Sequence, residues 1–149
     1  MKRFIGTKVI EAKPMTRGEY NRYRGWQLPA DENPADEGYL VKYSDDYESW
    51  SPKKQFDEAY RECDNMTFGL AIEAMKKGMK VARKGWNGKK QYIELASNIS
   101  YVNASKKVVN CKHDAIGNKA IAFVGTSGVQ MGWLASQADM LAEDWVIVE

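Results

Sequence analysis

Residues 66–88 read MTFGLAIEAMKKGMKVARKGWNG, and the order of signals in that stretch decides the fold class. Thr67 is placed to cap a helix, because its hydroxyl accepts from the free N–H groups of the first turn. Phe68, Ile72 and Met75 follow at helical spacing and make one apolar stripe. Lys76 and Lys77 fall in the last turn, at the negative end of the helix dipole. Gly78 supplies the left-handed residue that closes a helix, and residues 79–82 then read as a strand. Gly85-Trp86-Asn87-Gly88 is a turn of residues that tolerate positive φ. A short helix therefore feeds a strand that delivers Trp86 to a tight, polar corner.

Working outward, 91–95 reads as a strand leaving that corner antiparallel to 79–82, and 100–102 with 107–109 as a small hairpin. Residues 96–119 are otherwise polar. Residues 120–124 form a strand that turns through Gly125-Thr126-Ser127-Gly128 into 129–131. Ser136 caps a single helical turn ending at Leu141, and 145–148 is a closing strand of strong β formers. Toward the N-terminus, a strand is expected over 4–13, a helix capped by Thr16 over 17–24, and an exposed acidic loop over 27–38. A hairpin follows over 39–50, then a helix with Ser51 as N-cap and Pro52 at its first position. Short helices among short strands, with no strand–long helix–strand series, define an α+β fold: short helices on a small antiparallel sheet, with a small α+β N-terminal module. The division is 1–62, an aromatic-rich module of unassigned role, and 63–149.

The chain has 149 residues, 44% of them apolar, enough for a real core. No apolar run approaches a membrane span and the basic start is followed by no apolar h-region, so no membrane partner and a cytoplasmic location are expected. Residues 1–64 carry 11 basic and 13 acidic residues, residues 65–149 carry 11 and 7. That excess is modest for a nucleic-acid binder and suits a small anion or a merely soluble surface. Cys63 and Cys111 are read as reduced thiols, and Cys111-Lys112-His113 alone makes no zinc site, so no metal or cofactor is expected.

No P-loop, GxGxxG after a strand, HExxH or GxSxG is present. Asp139, Glu143 and Asp144 admit a metal or acid/base reading, but capping and solvation of a loop is the commoner role, with Asp139 ordering the backbone around Ser136. A binding protein needs rings for bases, amides and hydroxyls for polar edges, and cations for phosphate. Phe68, Trp86 and Trp133, then Asn87, Ser136 and Gln137, then Arg83 and Lys84, supply that set, with Asp139 beside them. Trp86 itself admits two readings: a lid folded over the sheet, or a platform stacked on a base.

Two segments, MTFGLAIEAMKKGMKVARKGWNGK at 66–89 and WLASQADMLAEDWVIVE at 133–149, resemble the second type of the Thoeris anti-defense family of phages and prophages. The resemblance spans 66–149 and implies a non-enzymatic sponge that binds and sequesters cyclic nucleotide signals without cleaving them. The implied ligands are glycocyclic ADP-ribose and, in some members, cyclic dinucleotides. It also implies a homo-oligomer, a tetramer built from dimers, with no nucleic-acid partner. Carried over position by position, it makes Trp86 in GWNG and Trp133 in WLASQ the leading contacts, Arg83 next, and leaves Trp145 to the core. The family's polar, Asp-containing segment before the second Trp reads AIAFVGTSGVQMG here, a departure that bears on ligand choice. The alternatives are an enzyme degrading such signals and a phage accessory protein that binds nucleic acid. Residues 1–62 resemble a small module recurring in phage proteins.

Overall fold

The strand β1 (Glu11–Pro14) is shorter than the expected 4–13, and the reason lies in its partner. It pairs with β2 (Gly38–Lys42) from Pro14 opposite Tyr39 to Glu11 opposite Lys42. Beyond Lys42 the chain turns, so residues before Glu11 have no strand facing them, and Phe4 and Ile5 are exposed. This is the computed structural model of the chain, and it describes residues 1–86, 90–110 and 119–149. Two compact units divide between Arg61 and Glu62.

In the first unit, α1 (Arg17–Arg24) begins at Thr16 with a full capping box to Glu19 and ends at Gly25, whose φ is 72°. β2 lies between β1 and β3 (Glu48–Pro52) in an antiparallel sheet. Alternation puts Leu40 and Trp50, which face each other, on one side and Tyr39 and Val41 on the other. On the first side the Trp50 indole N–H donates to the Met15 carbonyl at 2.8 Å, and the Arg17 guanidinium lies 5.0 Å over the ring. On the second, Phe56 of α2 (Lys53–Ala59) stacks on Tyr39 at 4.0 Å. Ser51 and Pro52 stay in the ladder opposite Tyr39 and Gly38, so α2 starts one residue later than expected and without a side-chain cap. Strand pairing overrides the capping signal there.

The second unit holds α3 (Phe68–Lys76), β4 (Lys80–Arg83), β5 (Tyr92–Ser97), β6 (Ser100–Val102), β7 (Val108–Asn110), β8 (Lys119–Gly125), β9 (Gly128–Met131), α4 (Gln137–Leu141) and β10 (Trp145–Val148). Five strands form one antiparallel sheet in the order β10-β4-β5-β8-β9, and β6 pairs with β7 apart from it. The class is α+β, as the sequence pattern requires. Register places Arg83, Val81, Ile93, Phe123, Trp145 and Ile147 on one face. That face carries the core: Trp145, Ile93 and Val81 are wholly buried, packed with Met66 and with Ala71, Ala74 and Met75 of α3. The predicted stripe of Phe68, Ile72 and Met75 is thus centred differently. The two alanines form the contact ridge and let the helix sit close, while Phe68 and Ile72 flank it half-buried. Gly78, with φ of 88°, sends the chain from α3 into β4.

Among the glycines of the first unit Gly38 is the most tightly enclosed, since a Cβ there would overlap both the Trp50 ring and the Ser51 carbonyl oxygen. Gly38→Ala is expected to destabilise this unit by about 1–3 kcal/mol, the usual cost of overpacking against backbone. Urea unfolding read by tryptophan fluorescence checks it, and an unchanged midpoint would contradict the packing described.

Candidate functional site

Trp86 follows β4 through a turn in which its N–H donates to the Arg83 carbonyl at 3.1 Å. Its ring lies edge-on to three others: Trp145 at 5.4 Å, Phe123 at 5.5 Å and Trp133 at 5.8 Å. Interplanar angles of 65–76° place positive ring edges against negative faces, the favourable arrangement for aromatic pairs. Trp133 reaches this cluster because its N–H, with that of Gly132, donates to the Ile121 carbonyl, folding the chain back over β8 as it leaves β9. Trp145 sits beneath, wholly buried, and Phe68 packs on it at 5.3 Å. Trp86 and Trp133 remain half-buried. They form a partly exposed rim on an aromatic core.

Beside the rings lies a charged bracket. Arg83 occupies a core-facing position at the end of β4, where an unpaired guanidinium would be costly. Its Nε donates to Asp144 at 3.0 Å and its Nη1 to Asp139 at 3.1 Å. Asp139 uses its other oxygen to accept from the Ser136 N–H and hydroxyl, completing the capping box that starts α4. The Trp145 indole N–H donates to the Asp139 carbonyl at 2.9 Å. Hydrogen bonds to Asp144 and then Asp139 raise the Arg83 guanidinium further above its ordinary value. Burial pushes the Asp139 carboxyl upward, but bonds from Ser136 and Arg83 outweigh it and hold the group below the usual carboxylate range.

The structure therefore brings Trp86, Trp133, Phe68, Arg83, Ser136 and Asp139 into one neighbourhood, though not all in the same capacity. Gln137 stands exposed in the first turn of α4. Lys84 is turned to Asn65, donating at 2.7 Å, with its backbone N–H on the Asp144 carbonyl. Asn87, Cys111 and His113 lie outside the described residues. Sequence reasoning missed Phe123 and Asp144 as members. Phe123 was legible in principle, since it alternates with Ile121 on the core face of β8. Asp144 was not, because only the pairing of Trp145 with Arg83 sets it beside that arginine.

A shallow concavity of about 500 Å³ in the other unit is lined by Lys53, Lys54, Asp57 and Glu58. Its Lys53–Asp57 pair at 2.7 Å is an ordinary solvated i,i+4 contact, so it is the face of a surface helix and not a second site.

Residues 66–148 match the model of the Tad2-like family, described as the Thoeris anti-defense 2-like domain. The chain belongs to that family. It is 39% identical over 88 residues to "Thoeris anti-defense 2" of Bacillus phage SP01, a match covering 56% of this chain and 94% of the relative. The relative is nearly all accounted for by the matched length, whereas this chain carries the further 1–61 unit.

The bracket makes two measurable demands. Asp139→Ala removes a cap and a charge-assisted bond, and a loss of about 1–3 kcal/mol is expected in chemical denaturation. Because the folded pKa of Asp139 is depressed, its stabilisation is present above the unfolded value near 4 and fades as pH falls through the folded one. Unfolding free energy should therefore drop more steeply below about pH 4 in the native chain than in Asp139→Asn. Equal slopes would show that the bracket does not couple to folding.

Proposed function

We propose that the chain counters Thoeris defence by binding a cyclic nucleotide immune signal and withholding it unchanged. Glycocyclic ADP-ribose, with cyclic dinucleotides as further ligands, is the chemistry implied by the family resemblance. The observation that carries this reading is the half-buried pair Trp86 and Trp133, set edge-to-face beside the polar start of α4. Rings half-exposed at such a rim can accept a base by stacking, and the exposed Gln137 offers an amide to ribose or base edges. Arg83 enters differently from a free phosphate clamp. Already held by two carboxylates, it fixes the corner that carries Trp86, and any contact with phosphate would have to share it with Asp139 and Asp144.

The carboxylates support binding over catalysis. Asp139 and Asp144 are committed to Arg83, and Asp139 is held ionised, the opposite of what a general acid requires. On this reading the protein acts stoichiometrically, as a homo-oligomer assembled as a dimer of dimers inside the infected host cell. Residues 63–149 form the binding domain and 1–62 an appended module.

The decisive measurement is recovery of the ligand after the complex is heat-denatured. Mass spectrometry should return glycocyclic ADP-ribose intact, and a cleaved product would replace the sponge with an enzyme. In calorimetry, Trp86→Ala should weaken binding by about 1–3 kcal/mol through lost stacking. Because Trp86 also touches three rings, the same variant should lower stability by about 3–5 kcal/mol. Trp86→Phe should recover part of both. Full affinity in a folded Trp86→Ala protein would remove this ring from the site. Residues 62–149 alone should fold and bind, since the matched length nearly exhausts the relative. A soluble fragment without affinity would assign the first unit a share of the site.

A further inference from the structure

Charge is distributed unevenly around the Trp86–Trp133 rim. From Ala120 to Ala138, a length that takes in most of β8, all of β9, Trp133 and the start of α4, not one residue is charged. Lys84 turns its ammonium group to Asn65. Beside the rings stands the bracket, in which one guanidinium faces two carboxylates, so negative charge is in excess. The excess is also the more open part, since Asp144 keeps 35% of its side chain in solvent against 26% for Arg83. The exposed Glu143 adjoins it in the chain.

The bracket is bonded into both halves of the rim. The Arg83 carbonyl accepts from the Trp86 N–H at 3.1 Å, and Asp139 caps the helix that follows Trp133. Trp145, next to Asp144 in the chain, meets the two rim rings at 5.4 and 6.3 Å. Contacts of this length are short against a screening distance of about 10 Å at 0.1 M salt, so a nucleotide lying on either ring feels the charge of the bracket. What it feels depends on how its phosphate is esterified. A diester carries one negative charge, whereas a terminal monoester carries nearly two at neutral pH. Closing a nucleotide into a ring through its phosphate leaves no monoester, while a linear nucleotide such as AMP ends in one.

We propose that the Arg83–Asp139–Asp144 bracket determines specificity by repulsion, turning away nucleotides that end in a phosphomonoester, with Asp144 as the residue that makes its charge negative. This rests on the reading of Trp86 and Trp133 as the nucleotide site. Asp139 alone would neutralise Arg83. The second carboxylate leaves the corner anionic, and it bonds Arg83 without being needed as a contact for the ligand. Selectivity is a difference of affinities, and a penalty on the wrong ligand contributes to it as directly as a bond to the right one.

The test is displacement of bound glycocyclic ADP-ribose by three probes that share one base: adenosine, the methyl ester of AMP, and AMP. They carry no charge, one negative charge and about two, respectively. In the native chain adenosine should displace best, the methyl ester next and AMP least. In Asp144→Asn, whose amide oxygen still accepts from the Arg83 Nε, the gap between AMP and adenosine should narrow by about two- to fivefold. Raising salt tenfold should narrow it in the native chain too. The gap is a ratio within one protein, so a general change in folding or ring placement acts on both probes and cancels. The salt series needs no substitution and decides the matter if the variant does not fold. AMP displacing as well as adenosine, adenosine failing to displace, or a gap that neither salt nor Asp144→Asn narrows would overturn the repulsive role while leaving the sponge standing. A native chain that holds no glycocyclic ADP-ribose would overturn the sponge, and this role with it.

Discussion

The burial of Trp145 is the constraint on which the second unit depends. Its ring is wholly out of solvent, its indole N–H donates to the Asp139 carbonyl, its backbone N–H and C=O both bond Met66, and a strand residue faces it on either side. On one side it pairs with Met66, just before α3, and on the other with Arg83 at the end of β4. One residue thus ties the beginning, middle and end of the domain together. Full burial of such a ring contributes several kcal/mol, and leaving its N–H unbonded would cost part of that back. The short α4 is held where it can supply that acceptor, and the Ser136–Asp139 cap and the Arg83 bracket keep it there.

That arrangement packs the rim rings against the core without hiding them. Trp86 and Trp133 each meet Trp145 edge-to-face, and Trp86 meets Phe123 the same way. A ring held by edge contacts keeps most of its orientation while leaving area for something planar to lie against. Preorganisation of this kind lowers the ordering cost of binding, which for a mobile side chain would consume a sizeable part of a stacking contribution.

Local signals made most of the second unit legible from sequence. Thr67 and Ser136 are caps, Gly78 ends a helix, and the Thr126–Ser127 turn joins β8 to β9, each because the residue's own chemistry dictates its backbone. What escaped was non-local. The charge on Arg83 reads as free in a string of letters and is spoken for in the fold, because its partners lie 56 and 61 positions away. The centring of α3 on Ala71 and Ala74 was missed for a related reason. Alanine adds little to an apolar pattern, yet its small size is what lets a helix approach a sheet whose opposing positions are Val81, Ile93 and Trp145. At β1 and Ser51 the sequence favoured a longer strand and an earlier cap, and the extent of the facing strand decided otherwise.

A paired Arg83 also bears on how a signal molecule would be held. If the guanidinium were free, electrostatic attraction would dominate affinity, salt would erode it steeply, and many anions would compete. With its one positive charge facing two carboxylates, Asp139 and Asp144, the bracket is net negative and does not draw phosphate nonspecifically. On the proposed reading, affinity would then come from ring faces and directional hydrogen bonds, which depend on the shape and polar edges of the ligand more than on its charge. On the proposed reading, such a site would tell a cyclic signal from linear nucleotides by the shape that ring closure imposes on base and ribose, since phosphate is common to both.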